Sequence, residues 1–142
     1  MLRLCGSVIS VLCIYSVLGS IDESMFTDEM KTMMTTVHKK CVEQTSVDEG
    51  IIDQAISGDI QEDEKLKCYM KCTLTESGVL SDSGDFDFGP VEQIAPEEMR
   101  EAHKKVFDTC TPQAGNVDDL CEKAFTVMKC AHDEDPENFY MF

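Results

Sequence analysis

Six cysteines, Cys41, Cys68, Cys72, Cys110, Cys121 and Cys130, leave this chain few ways to fold. They are separated by 26, 3, 37, 10 and 8 residues. An even number of cysteines in a short chain reads as a disulfide framework when the compartment is oxidising. The first twenty residues point to such a compartment. Met1-Leu2-Arg3 carries one positive charge, and Leu4 to Leu18 then runs without a charged side chain. That is the pattern of a secretory leader, shorter than the ~20 apolar residues a membrane span needs. Val17 and Gly19 place small residues where a signal peptidase reads, so residues 1–19 are expected to be a signal peptide and residues 20–142 a single mature domain. Cys5 and Cys13 depart with the leader.

Periodicity and capping residues predict helices throughout the mature chain. Met30, Met33, Met34, Val37 and Cys41 recur at three and four, with Thr27 as N-cap and Asp28 and Glu29 in the first turn. Ser46 with Glu49 reads as a capping box for a second helix, closed by Gly58. Leu66, Met70 and Leu74 interleave with Cys68, Tyr69 and Cys72 from about Glu62 to Glu76. Val79 to Pro90 reads as a loop and Val91 to Ala95 as a short turn. Pro96-Glu97-Glu98 opens a helix that ends at Cys110, before Thr111-Pro112. Asn116 is the expected cap of the last helix, and no segment reads as a strand.

Helix geometry then limits the cysteine pairing. Cys68 and Cys72, four apart on one helix, have Cβ atoms about 5–6 Å apart, too far for a disulfide that wants about 3.8 Å. Cys121 and Cys130, nine apart, face opposite sides of theirs at ~100° per residue. Excluding both pairs leaves ten of the fifteen connectivities.

Charge excludes several functions. With 12 Lys plus Arg against 28 Asp plus Glu, the net charge is −16, and loss of Arg3 with the leader makes it −17. Such a chain has no basic patch for nucleic acid and is repelled by anionic lipid, so neither nucleic-acid binding nor membrane insertion after leader removal is expected. Gly-rich phosphate loops, His-Glu-x-x-His and Gly-x-Ser-x-Gly are absent, and Asp82-x-Gly84-Asp85 lacks a twelve-residue calcium loop. No catalytic residue, metal site or cofactor is therefore expected.

The cysteine spacing, with Lys67-Cys68-Tyr69-Met70-Lys71-Cys72, the following Gly78, the Asp85-Phe86 loop and Ala124-Phe125 between the last two cysteines, resembles the six-cysteine signature of the insect odorant-binding proteins, the pheromone-binding and general odorant-binding family. The resemblance covers nearly all of the mature chain. It implies an all-α bundle of about six helices around an apolar cavity, stapled by three interlocked disulfides: Cys41 with Cys72, Cys68 with Cys121, and Cys110 with Cys130. It also implies an extracellular carrier of odorants, pheromones or related lipophilic molecules, working in sensillar lymph if the tissue is sensory. A small apolar ligand, an odorant receptor and a second copy of the chain are the partners it suggests. A secreted helical interaction or scavenger protein of haemolymph, saliva, venom or the reproductive tract is the alternative on the same fold.

Apolar residue types nominate the cavity wall: Met34, Val37, Met70, Leu74, Val79, Phe86, Ile94, Met99, Phe107, Phe125 and Met128. The resemblance adds residues 131–142 as a C-terminal tail folding over the pocket, so that Phe139, Tyr140, Met141 and Phe142 complete the wall; left free, they would expose a costly apolar patch. Ligands of ten to sixteen carbons and micromolar constants are expected. His132, followed by Asp133, Glu134 and Asp135 at the root of the tail, is the candidate trigger for release. His38 and His103 read as surface or core positions.

Overall fold

Single carboxylate or hydroxyl oxygens start four of the helices. A computed structural model describes residues 23–142, so the expected signal peptide lies outside the described residues. A 3-10 turn, Glu23–Met25, leads into α1 (Asp28–Thr45), where the Thr27 hydroxyl accepts from the Met30 N–H at 3.2 Å. Then come α2 (Glu49–Ile56), α3 (Glu64–Glu76), α4 (Gly89–Ile94), α5 (Glu97–Cys110), a 3-10 turn at Thr111–Ala114, and α6 (Leu120–Glu134).

Two caps and one helix start differ from the sequence reading, in each case because an aspartate carboxylate reaches the first free N–H groups. Asp48, not Ser46, caps α2, accepting from the Gly50 N–H at 2.8 Å. Ser46 is left-handed (φ 52°) and closes α1 through its N–H to the Val42 carbonyl. Asp63 caps α3, so that helix starts at Glu64 rather than Glu62. Asp119 caps α6, while Asn116 falls in the turn that follows the 3-10 segment. The turn expected at Val91–Ala95 is the body of α4, with Pro90 in its first turn, where a missing N–H costs nothing.

Helix α3 is the axis. It packs most extensively on α6 and next on α1, while α6 also carries α5. The disulfides follow those contacts: Cys41–Cys72 joins α1 to α3, Cys68–Cys121 joins α3 to α6, and Cys110–Cys130 joins α5 to α6. These are the pairs the family resemblance implies, and each loop overlaps the next along the chain. Leu66, Tyr69 and Met70 of α3 are fully enclosed, with Ile52 and Ala55 of α2, Leu80, Ala124 and Phe125 around them. The buried Lys67 ammonium bridges Glu122 (2.8 Å) and Glu64 (3.1 Å) and lies 5.3 Å from the Phe125 ring centroid. Those two carboxylates, Glu122 foremost, raise its pKa, so it stays charged.

The 79–88 loop docks as one piece. A lone antiparallel bridge between Leu80 and Phe86 closes it, and Gly84 sits at φ +88° where an added Cβ would lie 3.2 Å from Leu120 Cδ2. Only glycine meets both demands. The loop is thereby held against the start of α6, and its aromatic residues are turned toward α5, with the Phe86 and Phe88 rings 6.4 and 5.2 Å from that of Phe107.

Candidate functional site

Where α3, the loop, α4, α5 and α6 converge, the side chains do not fill the space between them. The void is about 160 Å³. The last turn of α3 contributes Thr73, Leu74 and Ser77; the loop Val79, Phe86 and Phe88; α4 Val91 and Ile94; α5 His103, Val106, Phe107 and Cys110; and α6 Val127, Met128 and Ala131. Asp135, Asn138, Phe139, Tyr140, Met141 and Phe142 close it. The polar groups in this wall are mostly committed elsewhere. Thr73 and Ser77 hydroxyls donate to the carbonyls of Met70 and Thr73, and the Asp135 carboxylate accepts from the Asn138 main-chain and side-chain N–H groups. What faces the void is mostly hydrocarbon.

The tail holds its position by contacts to three separate helices. Buried Met141 joins the core, with Phe139 and Phe142 packed against it. The Tyr69 hydroxyl donates to the main-chain oxygen of Phe142. Having given its proton there, Tyr69 accepts from His38 Nδ1, 2.7 Å away. His103 Nε2 lies 3.2 Å from the Asn138 main-chain oxygen. Tyr140 stacks at an angle on Phe26 (5.5 Å) and His103 (5.6 Å), and His132 meets the Phe139 ring edge-on at 5.3 Å. The tail proper begins at Asp135, because residues 131–134, expected to belong to it, are the last turn of α6.

Of the residues nominated from sequence, Leu74, Val79, Phe86, Ile94, Phe107, Met128, Phe139, Tyr140, Met141 and Phe142 stand in the wall. Met34, Val37, Met70, Met99 and Phe125 do not. Met34 and Val37 lie on α1, which is stapled to α3 and sends no residue to the void. Met70 is fully enclosed in the core among Val37, Leu66 and Tyr69. Phe125 packs into the same core beneath Lys67, about 200° around α6 from Val127. Met99 is on the cavity-facing stripe of α5, one turn before His103 and beyond the end of the void. Phe88, Val91, Val106, Val127 and Ala131 were missed, although Val127, Met128 and Ala131 form an i, i+1, i+4 stripe that helical periodicity marks. His103 was missed as well. A single histidine in a helical pattern carries no signature of a cavity.

Burial foremost, and the Glu49 charge second, push the Tyr69 hydroxyl well above the ordinary tyrosine value; burial also pushes up Tyr140. The folded state therefore binds the Tyr69 proton more tightly than the unfolded chain does. Its contribution to stability is complete below about pH 10 and drains as the pH rises beyond that. Denaturant midpoints measured from pH 8 to 11 are expected to hold and then fall. Tyr69→Phe is expected to cost about 1 kcal/mol at neutral pH, since it leaves two half-buried partners unpaired, and to flatten the alkaline fall.

Among the described residues, no helix is long and apolar enough to cross a membrane, and no cluster of three or more His, Cys, Asp or Glu is placed to hold a metal ion. Comparison with known proteins agrees with the geometry. The B1 protein of Tenebrio molitor is 25% identical over 116 residues, 80% of this chain and 86% of that one. An odorant-binding protein of Locusta migratoria superposes with a TM-score of 0.70 at 28% identity, covering 80% of this chain and 88% of its own. Odorant Binding Protein 7 of Anopheles gambiae, solved in complex with an azo compound, shares the fold at a TM-score of 0.69 and 20% identity, over 78% of this chain and 89% of its own. The PBP/GOBP family model matches residues 23–134. With the helices, the three staples and the void in agreement, the chain belongs to the PBP/GOBP family, a family of carriers and not of enzymes.

Proposed function

We propose that this chain is an extracellular carrier that encloses one small apolar molecule in the void beneath its tail and moves it through aqueous fluid. The observation that carries this reading is the void itself. At about 24 cal/mol per Å³ of sealed space, an unfilled void of 160 Å³ costs at most about 4 kcal/mol, a large fraction of the 5–15 kcal/mol by which a domain is typically stable. A globule with no occupant to accommodate closes such a space. Here that cost is offset by disulfides that join α3 to α6 and α5 to α6, each worth roughly 3–4 kcal/mol in the loop-entropy description. Three disulfides and a charge of −16 suit a soluble protein of an oxidising fluid.

The size of the void narrows the cargo. A cavity of about 150 Å³ holds a benzene-sized molecule. Single-ring compounds or chains of about eight carbons match 160 Å³, whereas the ten to sixteen carbons expected from sequence require the tail to give way. Burying about 200–250 Å² of apolar surface yields about 5–6 kcal/mol and dissociation constants on the order of 100 µM. Titrating the oxidised protein with toluene, 1-octanol and 1-dodecanol by ligand-observed NMR tests this. One-to-one uptake of toluene and octanol is expected, with dodecanol the weakest of the three. Well-folded protein that takes up none of them is not a carrier.

A further inference from the structure

Phe26 is a buried ring that lies outside the rest of the core. It is only 7% exposed, yet it belongs to neither cluster of packed core residues and does not line the void. Its place in the sequence suggests a local reason for burial that the structure does not supply. Phe26 precedes Thr27, the N-cap of α1, and an apolar residue there commonly staples onto the fourth residue of the helix. In this chain that residue is Lys31, which is exposed, so the staple has no apolar end. The partner of Phe26 is instead the tail: its ring lies 5.5 Å from that of Tyr140, tilted by 60°.

Tyr140 belongs to the cavity wall and has the His103 ring, 5.6 Å away, as its second aromatic neighbour. Along the tail it sits between two hydrogen-bonded points, the Asn138 main-chain oxygen at His103 Nε2 and the Phe142 main-chain oxygen at the Tyr69 hydroxyl. Buried Met141 holds the same stretch to the core. Resting on the carrier reading, we infer that Phe26 is a positioning residue that sets the length limit of the cavity: by backing Tyr140, it keeps this part of the wall from yielding to an occupant larger than the void. It touches no ligand and acts through Tyr140. Removing the Phe26 ring leaves both hydrogen bonds and Met141 in place, so the tail stays docked while the wall between its anchors gains room. Small and long ligands then respond in opposite directions. A single ring that matches about 160 Å³ loses close contact with the wall, whereas a ten-carbon chain gains the space it lacked. A general loss of stability weakens both alike.

The test compares Phe26→Ala with wild type on the full oxidised chain, titrating toluene and 1-decanol by ligand-observed NMR, with far-UV circular dichroism as the fold control. The dissociation constant for toluene is expected to rise and that for decanol to fall, so that their ratio changes about tenfold, the scale set by one aromatic pair. Phe26→Tyr keeps the ring and is expected to keep the wild-type ratio. In the wild type, cross-peaks between the Phe26 and Tyr140 rings are expected to persist with toluene bound, while decanol is either refused or, once bound, abolishes them. That readout decides alone should Phe26→Ala fail to fold. An unchanged ratio in Phe26→Ala, or decanol bound to the wild type with those cross-peaks intact, overturns the inference and leaves the carrier reading standing. Wild-type protein that takes up neither toluene nor decanol removes the carrier reading and this inference together.

Discussion

Ending the chain after Asp135 is expected to raise the dissociation constant for toluene about fiftyfold or more, out of the measurable range for weaker ligands. The truncation removes Asn138, Phe139, Tyr140, Met141 and Phe142, one whole side of the void. A bound ring that loses about 100 Å² of apolar contact forfeits about 2.5 kcal/mol at 25 cal/mol per Å². The void also opens to water, which the remaining walls cannot exclude. The truncated protein should still fold, because α3, α6 and their disulfide do not depend on the tail, although loss of buried Met141 lowers its stability by about 2 kcal/mol. Isothermal titration of both chains, with far-UV circular dichroism as the fold control, reads the two effects separately. Retained affinity would show that the tail is a lid in appearance only.

Replacing Cys68 and Cys121 together by alanine has the largest expected effect on stability. This bridge encloses the longest of the three loops, a separation of 53 residues against 31 and 20. It also joins α3 to α6, the most extensive helix contact of the fold. The loop-entropy description assigns it about 4 kcal/mol, and for a domain near 120 residues that is a fall in Tm of about 15 °C. Thermal melts of the double variant against wild type measure it, and a fall under about 5 °C would mean that the helix contact alone holds the axis. Ligand should offset part of the loss by mass action, since only the folded chain has a cavity to fill.

How far the fold was legible follows from what each signal encodes. Cysteine positions, turn glycines and helix-opening residues are local and chemically specific, so the six-cysteine framework, the helical character and the loop around Asp85-Phe86 could all be read. Helix starts were misplaced where Ser46 and Asn116 compete with Asp48 and Asp119, and where Asp63 stops the third helix short of Glu62. All are of capping or near-capping type, and the choice depends on which oxygen reaches an N–H in three dimensions. Cavity residues are a harder case. Periodicity says that Val37, Met70 and Phe125 point inward, but not whether the neighbour they meet is another side chain or empty space. The tail was legible because four apolar residues, Phe139 to Phe142, need cover. His103 was not, because the Asn138 carbonyl it meets in the wall lies 35 residues away in sequence.

The central claim is that a small molecule resides in the void beneath the tail, and isotope-filtered NMR with ¹³C-labelled methionine and valine methyls tests it most directly. Toluene bound to the oxidised protein is predicted to give cross-peaks to the methyls of Met128 and Met141, together with those of Val106 and Val127. It should give none to Met33 or Met34 on α1. Saturable binding without cross-peaks to the wall residues would place the ligand elsewhere on the molecule and contradict the account.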